Sequence, residues 1–420
     1  MKTRFTPALF AHAERLLGEL LRFEYPADGV VSRYFREHRE LGHGDRGFVA
    51  ESVFAVLRRR RSLAARCGAD VSSRRMLLAA LVVVFGWNRR QLEPVLRASE
   101  ADWPGEVKGF DPATMTPAER ADMPDWLFES LVRQYGVEET LALAAALNQP
   151  APLDLRVNAL KAERAAVIAR FAADGLGALA GEFSPWAIRL DGKPAVARHP
   201  LFLEGAVEVQ DEGSQLLGLL LAPRRGEMVV DFCAGAGGKT LLLGALMKNT
   251  GRLYAFDVSD RRLANLKPRL ARSGLSNVHP VRIEHERDPR VRRLAGKADR
   301  VLVDAPCSGL GTLRRNPDLK WRQGEAAIAE LTAKQGAILT AAATLVRPGG
   351  RLVYATCSLL AAENDAVVDG FLAEHPAFQP LSAGDILARQ EIALEGDRLR
   401  LLPHRHGCDG FFAAVLERAS

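Results

Sequence analysis

From residue 227 onward the chain alternates short, continuous apolar runs with helical stretches, and this alternation limits the fold more than any other feature. EMVVDF (227–232), RLYAFDV (252–258), NVHPVRI (277–283), RVLVDAP (300–306) and RLVYATC (351–357) read as strands. Stretches near 239–248, 260–272, 324–346 and 362–374 read as helices, and two late strands near 397–402 and 411–417 close the pattern. Strands that lack polar alternation are buried on both faces, which is how a parallel sheet covered by helices reads. An α/β fold with a doubly wound, mainly parallel, Rossmann-like sheet is therefore expected over 210–420. Ligands of such sheets bind beyond the carboxyl ends of the strands, so the chemistry belongs in the loops after strands one, two, four and five.

The chain has 420 residues, more than one core accommodates, so further domains are expected in front of this sheet. Residues 7–100 read as helical. Phe48, Val49, Val53, Phe54 and Leu57 share one face of a helix for which Asp45 is the expected N-cap, and Met76 to Phe85 reads as a buried helix. Pro104, Gly105, Gly109, Pro112, Pro117 and Pro124 punctuate 102–124, which reads as a linker. Two helical stretches follow, then LDLRVN, a helix from Lys161 to about Ala173, WAIRL and GAVEVQ, which together fit a small α/β module. The expected division is an all-α domain over 1–122, the small module over 123–209 and the parallel-sheet domain over 210–420. The small module holds no residue cluster suited to chemistry.

Charge is distributed unevenly. Residues 1–75 hold fifteen Lys/Arg against nine Asp/Glu, and this excess equals the net charge of +6, so the rest of the chain is balanced. A basic head that includes Arg58-Arg59-Arg60-Arg61 points to a polyanionic partner, with a solvated helix face as the alternative. The longest apolar run is too short to cross a bilayer, and the first residues, with acid and His inside their apolar stretch, do not read as a secretory signal. Cys67, Cys233, Cys307, Cys357 and Cys408 are odd in number and have no C-x-x-C spacing, so neither a disulfide framework nor a zinc site is expected. The group His404, His406 and Cys408 lacks a fourth ligand and is not read as a metal site. The expected setting is the reducing cytoplasm, without membrane or metal, and the expected state is a monomer.

Three loops carry chemistry. After strand one comes Asp231-Phe-Cys-Ala-Gly-Ala-Gly-Gly-Lys-Thr240, in which glycines between a strand and a helix let a ligand approach the backbone and the helix N-terminus. A P-loop needs glycine where Cys233 stands, and the dinucleotide fingerprint fails for want of a third glycine at 240. Asp257, at the end of strand two, is placed to hold ribose hydroxyls, so loop and acid together indicate a nucleoside cofactor. Strand four ends in Asp304-Ala-Pro-Cys307-Ser-Gly and strand five in Ala-Thr-Cys357-Ser, which brings two thiols over one pocket. A lone cysteine is usually a small buried apolar residue, but a pair at the working ends of two strands points to covalent catalysis. Carbon 5 of cytosine needs such a thiol. Addition at carbon 6 makes carbon 5 nucleophilic toward a sulfonium methyl, after which a base removes the carbon 5 hydrogen and the thiol leaves. Asp304 is placed to hydrogen-bond the pyrimidine edge. Arg314, Arg315, Lys320 and Trp321 offer phosphate and base contacts, with a solvated loop as the alternative.

DFCAGAGGKT, DAPCSGLGTLRRNPDLKW and YATCS together resemble the Sun-type RNA cytosine-5 methyltransferases, whose bacterial members modify small-subunit rRNA. RYFREHRELGHGDRGFVAESVFAVLR resembles the NusB-like RNA-binding domain of the rRNA enzymes, PDWL, LRVNALK and VEVQDEGSQL their small intermediate module, and DGFFAAVLER their closing strand. The resemblance implies S-adenosyl-L-methionine as cofactor, RNA as partner (rRNA first, tRNA as the alternative), Cys357 as nucleophile and Cys307 as the thiol that assists breakdown of the adduct. It implies a cofactor site made of Cys233, Ala234, Gly235, Ala236, Gly237, Gly238 and Lys239, with Asp257 and Asp304. The family's acid after strand three aligns with Asp288, with Glu284 and Glu286 as competitors. Ala-Gly-Ala-Gly-Gly replaces the commoner Ala-Ala-Pro-Gly-Gly in the first loop.

Three other readings remain open on sequence. A DNA cytosine-5 methyltransferase would use the Pro-Cys thiol, Cys307, as nucleophile. An RNA-binding assembly factor would keep the methyltransferase domain as a scaffold only. A small-molecule methyltransferase would leave the basic head and both thiols without a purpose.

Overall fold

The computed structural model describes residues 5–420. They gather into two compact units: one runs to Pro150 and includes Thr312–Glu325, and the other comprises Ala151–Gly311 and Ala326–Ser420. The helices Asp125–Tyr135 and Val137–Leu147, read in the sequence with the small module, are thus part of the first unit.

The first unit is helical. Pro7–Leu20, Ala27–Glu37, His43–Arg58, Arg60–Cys67 and Ser73–Val83 pack around one apolar core. Met76 to Val82 are all buried, so Ser73–Val83 is the apolar helix that the sequence indicated. Asp45 is not an N-cap. It occupies the third helical position, and its Oδ2 accepts the Gly42 N–H at 3.2 Å, one half of a capping box. The segment read as a linker is organised as three short helical turns, Trp103–Gly109, Pro112–Thr114 and Pro117–Arg120. Each has proline in its first turn, where the missing N–H costs nothing. A buried bidentate pair anchors this stretch: Glu100 accepts from Arg74 Nε at 3.0 Å and Nη2 at 2.6 Å.

The second unit contains two sheets. The smaller is antiparallel, ordered β2-β3-β1-β4, with β1 Leu153–Val157, β2 Ala178–Ala180, β3 Ala187–Leu190 and β4 Val207–Val209. The larger has eight strands: β5 Met228–Asp231, β6 Arg252–Asp257, β7 Val278–Arg282, β8 Ala298–Asp304, β9 Val346–Thr356, β10 Phe378–Leu381, β11 Leu399–Leu401 and β12 Phe411–Arg418. Its order is β10-β12-β9-β8-β5-β6-β7, with β11 paired to β12. Strands β5 to β9 run parallel, and β10 to β12 add antiparallel pairings at the β9 side. The chain winds outward from β5 to β7, then returns to place β8 on the other side of β5. That reversal opens a crevice at the carboxyl ends of β5 and β8. Among the described residues no helix is long and apolar enough to cross a membrane.

Candidate active site

Strand β5 delivers the chain into the glycine loop. Gly235 and Gly237 take left-handed backbone, with φ of 57° and 85°. A Cβ on Gly237 would lie 2.0 Å from Leu266 Cδ1, so helix Gly238–Leu246 can start there only on a glycine. A cleft of about 820 Å³ opens over this turn, within the range of small-molecule sites. Cys233, Ala234, Gly235, Ala236, Gly238 and Lys239 line it, whereas Gly237 shapes the loop without lining the cleft. Burial holds the Cys233 thiol well above its ordinary range, which suits packing and not attack. Asp231, at the end of β5, also lines the cleft. Burial pushes its carboxyl up to about 7, while Thr240 Oγ1, donating at 2.6 Å, works the other way. Asp231 Oδ1 is buried without a hydrogen-bond partner among the described residues.

Asp257 closes the far side of the cleft from the end of β6. Its Oδ2 accepts Gly235 N–H at 2.8 Å and its Oδ1 accepts Ser259 N–H at 2.7 Å, so the acid ties two loops together and keeps lone pairs for a ligand. The loop after β7 presents Ile283, Glu284, His285 and Glu286 to the cleft. Asp288 lies outside this lining. It caps the short helix Pro289–Arg292, and its two oxygens accept the N–H groups of Arg290 at 2.8 Å and Glu284 at 3.0 Å. These two bonds bend the loop that presents Glu284, His285 and Glu286 to the cleft.

The small sheet supports the cofactor loop, a part the sequence did not reveal. Arg156 on β1 donates to Gly238 O at 2.7 Å and to Gln210. Glu208 on β4 pairs with Arg269 at 3.1 Å and with Arg272, and Arg269 in turn donates to Ala236 O at 2.7 Å.

Within the cleft, whose lining includes both residues, Lys239 Nζ donates to Asp304 Oδ2 at 2.7 Å. Burial opposes the lysine charge, but the Asp304 carboxylate outweighs it and holds the ammonium above its ordinary range. Strands β8 and β9 pair in parallel with Asp304 opposite Ala355, so the loops that leave them run side by side. Cys307 Sγ and Cys357 Sγ are consequently 3.3 Å apart. The hydrogen bond with Cys357, then burial, raise the Cys307 thiol well above its ordinary range.

Glu363, fully buried and not singled out in the sequence, joins the two thiol loops. Its Oε1 accepts Ser308 N–H at 2.8 Å and Gln335 Nε2 at 3.0 Å. Its Oε2 accepts Ser308 Oγ at 2.6 Å and Ser358 Oγ. Each cysteine is therefore followed by a serine held on the same carboxylate. Of Arg314, Arg315, Lys320 and Trp321, read as phosphate and base contacts or as a solvated loop, Lys320 and Trp321 also bond within the helical unit: Lys320 Nζ donates to Arg58 O at 2.8 Å and Trp321 Nε1 to Leu57 O at 2.8 Å. Cys408 is fully buried in the apolar core. Among the described residues, His12, His38 and Glu40 of the helical unit have ligand-type atoms converging within 4.8 Å, and they lie outside the cleft.

Comparison with known proteins places this architecture. Residues 218–417 match the family described as 16S rRNA methyltransferase RsmB/F, and residues 123–197 match the ferredoxin-like domain of RsmF/B-like methyltransferases. The probable ribosomal RNA small subunit methyltransferase B of Synechocystis sp. is 34% identical over 96% of this chain and 98% of that protein. Ribosomal RNA small subunit methyltransferase B of Sodalis glossinidius is 38% identical over 73% of this chain and 69% of that protein. A crystal structure of a methyltransferase homologue from Pyrococcus horikoshii superposes with a TM-score of 0.63 at 27% identity, over 74% of this chain and all of that one. The cofactor is S-adenosyl-L-methionine, and the residues present fit it. The cleft has glycine backbone at a helix N-terminus for close approach, the Asp257 carboxylate for ribose hydroxyls, and Asp231, whose Oδ1 is buried without a partner among the described residues, in its lining. A switch-point cleft of this composition, with family matches along most of the sequence, makes the chain a member of the RsmB/F family of methyltransferases.

Proposed function

We propose that this protein methylates carbon 5 of a cytosine in small-subunit ribosomal RNA, with Cys357 as covalent nucleophile and Cys307 as the thiol that releases the product. The observation that carries the reading is the 3.3 Å approach of two thiols at the ends of neighbouring strands, next to the Lys239–Asp304 pair. A methyltransferase acting on an exocyclic amine has no use for either thiol. The helical domain, 1–122 in our division, is assigned to RNA binding as a NusB-like domain, with 123–209 as the intermediate module and 210–420 as the catalytic domain.

The glycine loop 233–239, Asp257 and the 284–286 loop hold the cofactor in this reading. Asp288 acts indirectly, through the loop it caps. When bound, S-adenosyl-L-methionine supplies a methyl group on a sulfonium centre. The Cys357 thiolate adds to carbon 6 of the cytosine, and the electron pair displaced from the ring double bond is taken up with a proton at the pyrimidine edge. Asp304 holds that edge and relays a proton to it from solvent, while Lys239 Nζ, donating at 2.7 Å, fixes the Asp304 carboxylate. After carbon 5 has gained its methyl group, Cys307 takes the carbon 5 hydrogen as a proton. The electron pair of that C–H bond restores the ring double bond and expels the Cys357 sulfur. Cys307 gives its own proton to solvent before it accepts the one from carbon 5. The target base reaches the thiols only when unstacked, so a single-stranded or extruded cytosine is required.

Denaturing electrophoresis of Cys307→Ala and Cys357→Ala after incubation with cofactor and ribosomal RNA tests the assignment. A cofactor-dependent protein–RNA band with Cys307→Ala alone is expected. A band with Cys357→Ala alone would move the nucleophile to Cys307, and the absence of a band with either would remove the covalent reading.

A further inference from the structure

We propose that the helical unit carries a second nucleotide-receiving cleft, centred on Arg60, that takes one phosphate and one base of single-stranded RNA; it rests on the RNA reading above. The cleft measures about 700 Å³, and Leu21, Arg60, Arg61, Met76, Trp126 and Trp321 are among the residues that line it. All belong to one compact unit.

The run Arg58–Arg61 divides its labour. Arg58 Nη2 donates to Arg314 O at 3.1 Å, and Arg61 Nη1 pairs with Asp125 Oδ1 at 2.5 Å and donates to Met123 O at 2.8 Å. Arg60 differs. Its guanidinium lies over the rings of Phe23 and Trp321, 5.3 and 5.2 Å from their centroids, and it has no hydrogen-bond or ion-pair partner among the described residues. A half-buried cation set over two rings is pre-organised, and its N–H donors lack an acceptor among the described residues. An anion supplies both charge and acceptors. Phosphate is the class that guanidinium geometry matches.

The rest of the lining suits a base. Trp126 and Trp321 are half-buried indoles, and Leu21 and Met76 add apolar surface. A free phosphate would satisfy Arg60 but leave the Trp126 indole without a role. A nucleotide uses both, and stacking on aromatic rings accepts any base. The cleft therefore binds RNA without reading its sequence.

Fluorescence anisotropy of a labelled single-stranded oligoribonucleotide on the full chain, across a KCl series, tests this. Arg60→Gln is expected to lower affinity about tenfold at low salt and to reduce the slope of log K against log salt by about one phosphate's worth. Trp126→Ala is expected to lower affinity about tenfold with the slope unchanged. Both should bind S-adenosyl-L-methionine as the parent chain does, which separates loss of this cleft from loss of the fold. Wild-type affinity and slope in both variants would overturn the proposal. Quenching of tryptophan fluorescence by inorganic phosphate, with oligonucleotide binding unaffected by either substitution, would assign the cleft to a small anion and likewise overturn it. If the parent chain neither binds the oligonucleotide nor methylates ribosomal RNA, the RNA reading falls and this cleft's role with it.

Discussion

Replacing Glu363 with glutamine changes one oxygen for an NH₂ group inside a site with no room to rearrange. Glu363 accepts four hydrogen bonds, two on each oxygen, from Ser308 N, Gln335 Nε2, Ser308 Oγ and Ser358 Oγ. With the amide oxygen in the Oε1 position the two N–H donors keep their acceptor. The two serine hydroxyls then meet an NH₂ group and must turn to accept. Hydrogen bonds to a charged group contribute about 1.5–3 kcal/mol each, and the turned hydroxyls recover part of two such bonds, so a loss of about 2–4 kcal/mol is expected. For a unit of this size that is a fall in melting temperature of about 5–15 °C. The functional effect should exceed the thermal one, because Ser308 and Ser358 directly follow Cys307 and Cys357. A shift of about 1 Å between reacting groups costs on the order of a hundredfold in rate. Single-turnover methyl transfer to small-subunit ribosomal RNA should therefore drop about a hundredfold. Cofactor affinity by calorimetry should hold, since Glu363 does not line the cofactor cleft. A glutamine variant with the parent's melting temperature and single-turnover rate would refute the argument that this carboxylate sets the spacing of the thiols. A rate that falls only in step with cofactor affinity would refute it too.

Further outcomes follow from the same geometry. Gly237→Ala forces a Cβ against Leu266 and a side chain onto left-handed backbone, a cost of about 1–2 kcal/mol, so cofactor affinity by calorimetry should weaken about tenfold. Asp231 has its folded-state pKa raised from 3.8 to about 7, so between those values the folded state binds more protons and stability falls as pH rises through the window. Asp231→Asn should flatten that decline in urea titrations at pH 5 and pH 8, whereas an unchanged pH dependence would show that Asp231 is not its source. Glu100→Ala leaves the part-buried Arg74 guanidinium with only Val95 O and Glu14 as partners and should cost about 1–3 kcal/mol, read as an earlier denaturation of helical circular dichroism. Cys357→Ser keeps the site's volume but removes the thiolate, so methyl transfer should vanish while cofactor binding persists.

The parallel sheet was legible because burial on both faces leaves an unbroken apolar run, and β5, β6, β8 and β9 each have one. Their loops followed, since chemistry collects where such strands end. Strands β2 and β10 escaped notice: ALA and FQPL are short, largely exposed edge segments without an apolar signal. The stretch 102–124 read as a linker because proline marks a helix's first turn as readily as it marks a loop. Glu363 was invisible for a different reason. Its partners Ser308 and Gln335 lie 55 and 28 residues away, and an acid that joins two loops looks in sequence like any surface acid. Asp288 shows the converse. The acid that the motif comparison singled out caps its own loop outside the cleft lining, and the neighbours it positions line the cleft.

The helical unit includes Thr312–Glu325, and the order of synthesis gives that a consequence. Helix Ala27–Glu37 starts on Pro26 without a local side-chain cap; the carboxylate that accepts the Ala27 N–H, at 3.1 Å, belongs to Asp318. Leu57 O and Arg58 O likewise wait for Trp321 and Lys320. A ribosome adding about 5–20 residues per second leaves an interval on the order of ten to thirty seconds between the end of the first stretch and its completion. During that time the nascent head is a bundle with a vacant berth, exposed to chaperones and to wrong partners. Its final stability is acquired only after the glycine loop, with the strand and the helix that flank it, has emerged.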